Sequence, residues 1–399
     1  MEMESVTESE MDSCGGSTAA SSSIYPDAGS FSKRLAMKNT IQTNFGEDYV
    51  FQIASSPDIS NMAVSLSTDT IKLYLPATGQ FLGECRGHRG TIHEISLEVP
   101  SSPNLLCSCS SDSTIRMWDI RTFKQVSSVK AGCNQEIFSF SIGGSSSNLL
   151  AGGGNSQICF WDLRNGKQVA CLEESHMEDV TQVRFVPNQQ NKLISSSVDG
   201  LLCLFDTDGN INDDNDLQSV MNVGTSIGRF GFFGDMNQRL WCLTHIETLS
   251  IWDWVDGRRE MNFEDARSMA SNKWNLDHID YFVDCHYSEV EDGLWVIGGT
   301  GAGSLGFFPV SCKPPFGIGY PEAILDGGHE GIVRSVLPVS TKASVTGQKN
   351  GVFGWTGGED GRLVCWLSDG NSATNKSWIT SSLVMKTPRA RGKIRHKPY

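Results

Sequence analysis

The sequence predicts an all-β chain of seven four-stranded units arranged in a ring, with a polar leader and a basic tail outside it. Three observations carry this. Short β-favouring runs separated by polar turns recur along most of the chain, an aromatic residue ends one strand of each unit, and the interval between those aromatics is that of a four-stranded repeat. The clearest unit is Leu105 to Arg121, LLCSCSSDSTIRMWDIR, in which Leu105–Cys109 and Thr114–Trp118 fit two strands joined by a polar turn. The same grammar returns as LLAGGGNSQICFWDLR at Leu149 to Arg164. The recurring aromatics are Tyr74, Trp118, Trp161, Phe205, Trp252, Phe308 and Trp366, spaced by roughly 44, 43, 44, 47, 56 and 58 residues. A four-stranded propeller blade takes about 40–45. Polar and glycine-rich insertions lengthen the last two intervals, as loops permit at little entropic cost.

These repeats resemble the WD40 family over about residues 35–385. The resemblance implies a seven-bladed β-propeller folding as one domain, despite the length. It also implies a buried hydrogen-bonded tetrad in the best repeats: His88, Ser108, Asp112 and Trp118 in the second, and His329, Thr356, Asp360 and Trp366 in the seventh. His176, Ser195 and Asp199 match in the fourth, but Phe205 stands where an indole N–H would complete the set, so that network is expected to be shorter and weaker. The third repeat has Ala151 and Asn155 at tetrad positions, and the first, fifth and sixth show no recognisable tetrad.

Composition fits this reading. A 39% apolar content in 399 residues supports a large core, and 41 glycines with 13 prolines suit many tight turns. The net charge of -14 argues against a chain that binds nucleic acid or anionic membranes over its whole surface. The twelve cysteines fall mostly within predicted strands, as at Cys107, Cys159, Cys203 and Cys365, and read as reduced core thiols of a cytosolic or nuclear protein. The opening MEMESVTESEMD has no apolar core of a secretory signal, and no run of about 18 apolar residues predicts a membrane span.

In chain order, residues 1–34 are acidic and Ser-rich and are expected to be disordered. A ring needs a closing strand, because an open edge invites aggregation. Leu35–Thr43 and Ser377–Met385 both fit that role, and the family resemblance favours the first. Blade one reads as YVFQIASS, MAVSLS and TIKLYL; blade three starts at Glu136; blade four runs from Val180 to Asp206; blade five from about Ile227 to Asp253. The insertion Asp206–Leu217 imitates a calcium loop, but Ile211 and Leu217 stand where Gly and Glu are required, so a solvated loop is expected. Phe263–Trp274 contains helix formers and predicts a short surface helix. Gly301, Gly303 and Gly306 spell GxGxxG, yet Pro309, Pro314 and Pro315 preclude the helix a dinucleotide site needs; a hairpin turn is expected. The tail 386–399 carries Lys386, Arg389, Arg391, Lys393, Arg395 and Lys397 and no acid. The rest of the chain then holds 26 basic against 46 acidic residues, about -20. Such polarity points to RNA contact, an import receptor or nuclear residence.

No catalytic set is legible. The tetrad accounts for His88, His176 and His329, Cys107 and Cys109 lack a second ligand pair for zinc, and neither a nucleophile elbow nor a phosphate loop is present. A non-enzymatic chain without cofactor or metal is expected, acting through propeller rims on other proteins as a monomeric ring. Two rim features are sharper: Trp118-Asp119-Ile120-Arg121 and Trp161-Asp162-Leu163-Arg164 resemble the WDxR box by which some WD40 proteins dock on the adaptor of cullin-4 ubiquitin ligases. Arg121 and Arg164 would then present planar, bidentate donors on neighbouring blades. Over its whole length the chain is similar to plant members of the WD repeat-containing protein 89 group, through its weak final repeats, Glu359 to Arg362 and the basic tail. That resemblance implies a scaffold of nucleus and cytoplasm, connected to ribosome assembly and growth control.

Overall fold

The computed structural model describes residues 33–43, 48–99, 102–132, 135–212, 216–274, 278–289, 292–338 and 352–368. Strand β1 (Lys33–Gln42) precedes the first blade. Blade one is β2 (Val50–Ser55), β3 (Met62–Leu66), β4 (Thr70–Leu75) and β5 (Gln80–Arg86). Blade two is β6 (Ile92–Ser96), β7 (Leu105–Ser110), β8 (Thr114–Asp119) and β9 (Lys124–Lys130). Blade three is β10 (Ile137–Gly143), β11 (Leu149–Gly154), β12 (Ile158–Asp162) and β13 (Lys167–Leu172). Blade four follows with β14 (Val180–Val186), β15 (Gln189–Ser197), β16 (Leu201–Asp206) and β17 (Leu217–Asn222). Blade five has β18 (Ile227–Phe233), β19 (Arg239–Thr244), β20 (Leu249–Asp253) and β21 (Arg258–Phe263), and is followed by α1 (Ala266–Ser271). Blade six is β22 (Tyr281–Ser288), β23 (Gly293–Gly299), β24 (Leu305–Ser311) and β26 (Ala323–Leu325), with β25 (Gly317–Ile318) pairing on the end of β24. Blade seven holds β27 (Val333–Pro338), β28 (Val352–Gly358) and β29 (Arg362–Ser368).

Closure falls to the N-terminal strand. β1 pairs antiparallel with β29 from Leu35↔Ser368 to Gln42↔Arg362, supplying blade seven's outer strand. Its first two residues also pair in parallel with β26, which joins blades six and seven into one sheet. The competing segment Ser377–Met385, residues 1–32 of the leader and the tail 386–399 lie outside the described residues, while the last two leader residues, Lys33 and Arg34, begin β1 instead of being disordered.

Each blade is a meander covered on both faces by its neighbours, so the middle strands read as continuous apolar or small-residue runs. β3 and all but the first residue of β7 are buried. Blade-to-blade clusters interlock: Cys107, Cys109, Ile115 and Met117 of blade two pack with Ile137, Phe140, Leu150 and Trp161 of blade three. The recurring aromatics all lie in the third strand and are buried, at about 1.5–3 kcal/mol each for large side chains.

The innermost strands share a second pattern. Each carries a bulge, as at Val50/Gln52, Ile92/Glu94, Ile137/Ser139, Val180/Gln182 and Val333/Ser335, which turns the next polar side chain toward the adjoining blade. Gln52 Oε1 accepts from Ile95 N–H at 2.7 Å, Glu94 Oε2 from Phe140 at 3.0 Å, Ser139 Oγ from Val183 at 3.1 Å and Gln182 Oε1 from Phe230 at 2.9 Å. Ser335 Oγ accepts from Ile53 at 2.9 Å and completes the turn back to blade one. Blade five has Arg229 at this position, which cannot accept; it pairs with Asp284 of blade six at 3.2 Å, and Glu247 takes the Phe282 N–H instead at 2.6 Å. Tyr281 Oη accepts from Val333 at 2.7 Å across the next seam. All seven seams are thereby stitched by a side chain on a neighbour's backbone.

Three local expectations are refined. The helix forms, but its Ala266 and Ala270, with Trp274 beyond it, join the core of blades five and six rather than floating on the surface. The insertion after Asp206 is anchored at both ends, by Lys192 on Asp206 and by buried Thr207 and Asp216, while Asp208, Gly209 and Asn210 between them are exposed, as expected of a solvated loop. The GxGxxG stretch is the β23–β24 hairpin, with Gly306 inside β24. Among the described residues no helix is long and apolar enough to cross a membrane.

Candidate protein-interaction surfaces

In a four-stranded meander, the turn between second and third strands and the loop entering the next blade lie on one face. The turns after the first and third strands lie on the other. The tetrads hold the first face together. In blade two, His88 Nδ1 lies 2.9 Å from Asp112 Oδ2 and Nε2 lies 2.7 Å from Ser108 Oγ, which also accepts Trp118 Nε1–H at 2.8 Å. In blade seven the same atoms of His329 meet Asp360 at 3.0 Å and Thr356 Oγ1 at 2.8 Å, with Trp366 Nε1 on Thr356 at 2.8 Å. Blade four brings together His176, Asp199 and Ser195 at 3.0 and 2.7 Å, and ends there because Phe205 has no N–H.

Burial lowers the pKa of His88 and His176 against the pull of their carboxylates, so both imidazoles are neutral near pH 7. The neutral ring fixes the direction of the chain: Nδ1–H donates to the aspartate, and Nε2 accepts from the Ser hydroxyl. Burial opposes ionisation of Asp112, but Thr114, His88 and the Arg89 N–H donate to its carboxylate and hold it at about 2. Each aspartate also accepts the N–H that follows the histidine: Arg89 at 3.0 Å, Met177 at 3.1 Å and Glu330 at 3.0 Å. The tetrad is therefore a clamp on the loop between blades. Gly328 is required beside it, since a Cβ there would lie 2.6 Å from the Trp366 indole. Blade four, with the smaller Phe205, carries Ser175 at that position.

Repeats without tetrads are satisfied differently. Asn155 Oδ1 accepts Glu136 N–H at 3.0 Å in blade three, and its Nδ2 donates to Asp179 of blade four at 2.9 Å. In blade five the Trp252 indole donates to Ser250 Oγ at 2.8 Å, and Ser226 bonds His245 Nδ1 at 2.6 Å.

The opposite face carries the two arginines. Arg121 Nε and Nη2 grip both oxygens of Asp119 at 3.0 and 2.8 Å, and Arg164 grips Asp162 at 2.9 and 2.7 Å. The Arg side-chain bonds hold both carboxyls at about 2. Trp118 and Trp161 are buried beneath, while the Arg121 and Arg164 side chains are 68% and 69% exposed. Each forked pair thus orients its guanidinium on neighbouring blades and leaves most of it in solvent. The channel mouth on this face opens into a cavity of about 1050 Å³ lined by residues such as Leu97, Pro103, Phe185 and Pro187.

The family description "WD domain, G-beta repeat" matches residues 79–119 and 166–206. Each match starts at an outer strand and runs into the next blade, the same one-strand stagger that leaves β1 to complete blade seven. The chain is 60% identical over 370 residues to WD repeat-containing protein GTS1 of Arabidopsis thaliana, covering 92% of this chain and 93% of that relative. It is 32% identical over 362 residues to the WD repeat-containing protein 89 homolog of Dictyostelium discoideum, covering 89% and 94%. The chain belongs to the WD40-repeat family, in the WD repeat-containing protein 89 group. WD40 propellers are in general protein-interaction scaffolds, and the geometry agrees. The three histidines with tetrad partners and most polar residues of the inner strands are committed to holding blades together. Sequence reading missed that inner ring. Its signal was a polar residue two positions into an apolar strand start, as in VFQI, IHEI, IFSF and VTQV.

Proposed function

We propose that this protein is a non-enzymatic scaffold of nucleus and cytoplasm that gathers partner proteins during ribosome assembly, with its basic tail contacting RNA. The observation that carries the scaffold reading is the commitment of the tetrad and inner-ring polar groups to structural hydrogen bonds, which leaves recognition to the loops of the two faces. The RNA contact rests on the tail: Lys386, Arg389, Arg391, Lys393, Arg395 and Lys397 give a polyanion six cations free of local acids in the sequence. Deleting 386–399 should abolish RNA crosslinking and shift the protein out of ribosome-precursor fractions on a sucrose gradient. Unchanged crosslinking and sedimentation would remove that part of the reading.

One observation favours a second role, as substrate receptor of a cullin-4 ligase. Arg121 and Arg164 are matched in geometry, mostly exposed, and preset by Asp119 and Asp162. Preset forks lose less side-chain freedom on meeting a partner's acceptors. Purified adaptor should bind the wild-type chain, and Arg121→Ala with Arg164→Ala together should abolish binding without changing thermal stability. Equal binding by the double variant sinks the ligase reading and leaves the scaffold reading standing.

A further inference from the structure

Cys159 and Cys171 face each other across the β12–β13 hairpin in direct register. Their sulfurs are 2.7 Å apart. Among the described residues no other cysteine has a cysteine as its register partner: Cys107 faces Met117, Cys109 faces Ile115, Cys203 faces Ser195 and Cys365 faces Trp355. Residues directly opposed in an antiparallel pair hold their Cβ atoms about 4.5–5.5 Å apart, close to the spacing of about 3.5–4.5 Å that a disulfide needs. Closing the bond therefore takes side-chain rotation with little backbone movement. Cys159 is buried in the seam with blade two, and Cys171 is half-buried against the same cluster on the outer strand, where a small oxidant can reach it.

We propose that Cys159 and Cys171 form a reversible oxidative modification site, closing to a disulfide when the protein meets a hydroperoxide. The Cys171 sulfur attacks the peroxide, the O–O bond breaks, and Cys171 becomes a sulfenic acid as one water leaves. Cys159 sulfur then attacks Cys171 sulfur, the S–O bond breaks, and the Cys159 proton departs with the hydroxyl as a second water. Two thiols are oxidised by two electrons and one hydrogen peroxide is reduced. The order follows from access: Cys159 is buried, and its bond to Cys171, burial and nearby Glu173 push its thiol up, so the partly exposed Cys171 meets the peroxide first. The bridge would enclose residues 160–170, the segment that holds Trp161, Asp162 and Arg164, and so staple the turn that presents Arg164. The proposal rests on the hairpin alone, independent of any partner assigned to that arginine.

The test exposes the full-length chain to graded hydrogen peroxide, alkylates it in denaturant and digests it with trypsin, which cuts at Arg164 and Lys167 between the two cysteines. The expected product is a pair of peptides linked through Cys159 and Cys171, lost on reduction. It should appear by the dose that oxidises Met177, which is 87% exposed and reports the oxidant's presence. In Cys159→Ser, Cys171 should stop at a sulfenic acid that dimedone traps. Wild-type Cys171 reaching sulfinic acid while Cys159 still alkylates would overturn the proposal, as would alkylation of both after Met177 is oxidised. Because the linked pair is read in wild type, a variant that fails to fold does not weaken the result.

Discussion

Removing one hydroxyl should cost blade two more than blade four. Ser108 Oγ serves two buried partners, accepting from Trp118 Nε1 at 2.8 Å and donating to His88 Nε2 at 2.7 Å. Ser195 Oγ serves His176 Nε2 at 2.7 Å, and Phe205 asks nothing of it. Each buried polar group left unpaired costs about 1–3 kcal/mol. Ser108→Ala strands two and should destabilise by about 2–6 kcal/mol; Ser195→Ala strands one and should cost about 1–3 kcal/mol. Both serines are fully buried and both changes delete the same atom, so the cavity contributions cancel in the comparison. The difference, about 2 kcal/mol, is the indole's share. Urea unfolding of the two variants measures it from midpoints, provided the slopes agree with wild type. Equal losses, or a larger loss in Ser195→Ala, would refute the view that the tetrad acts through its hydrogen-bond count.

Acid should weaken the ring in a defined order. His88 and His176 titrate below the ordinary 6.5 when folded, so the unfolded chain binds protons first; stability is complete above about 6.5 and falls as pH drops below it. Asp112, at about 2 against an ordinary 3.8, adds a second loss between those values. Melting temperatures from pH 7.5 to 3 check this, and a rise on acidification would contradict it. Glu94→Ala strips the acceptor from the Phe140 N–H and the partner from Arg184, and should cost about 3 kcal/mol, with Glu94→Gln milder because it retains an oxygen; equal denaturant midpoints for the two would argue that the charge alone matters. Deleting 33–42 removes the strand that pairs β29 and should yield oligomers or aggregate on size exclusion; a monomer of native stability would count against closure by β1.

Much of this architecture was legible because it is periodic. Tyr74 through Trp366 mark the third strand of every blade, and the offsets of His88, Ser108, Asp112 and Trp118 locate a clamp whose partners lie about 20 to 30 residues apart. Closure was harder. Leu35–Thr43 and Ser377–Met385 have the same local character in the sequence; the family resemblance favours the first, and the register of β1 against β29 places it in that role. The seam bonds were less visible still, because Gln52, Glu94 and Ser139 look like ordinary polar interruptions until the bulges turn them sideways. The sequence reading treated Phe263–Trp274 by composition alone, and so missed that Ala266, Ala270 and Trp274 fall on one face of the turn that follows blade five. For Arg121 and Arg164 the sequence supplied the box but not the grip on Asp119 and Asp162, which depends on the tight turn after each third strand.

The central claim is that the loop faces recognise other proteins while the buried polar network only holds them in place. Affinity purification of the full chain from native extract, beside the Arg121→Ala/Arg164→Ala variant and the tail deletion, tests it most directly. The account predicts a reproducible set of stoichiometric partner proteins with wild type, and loss of a distinct subset with at least one of the two variants at unchanged melting temperature. No partner above control with any of the three, or identical partner sets from all three, would contradict it.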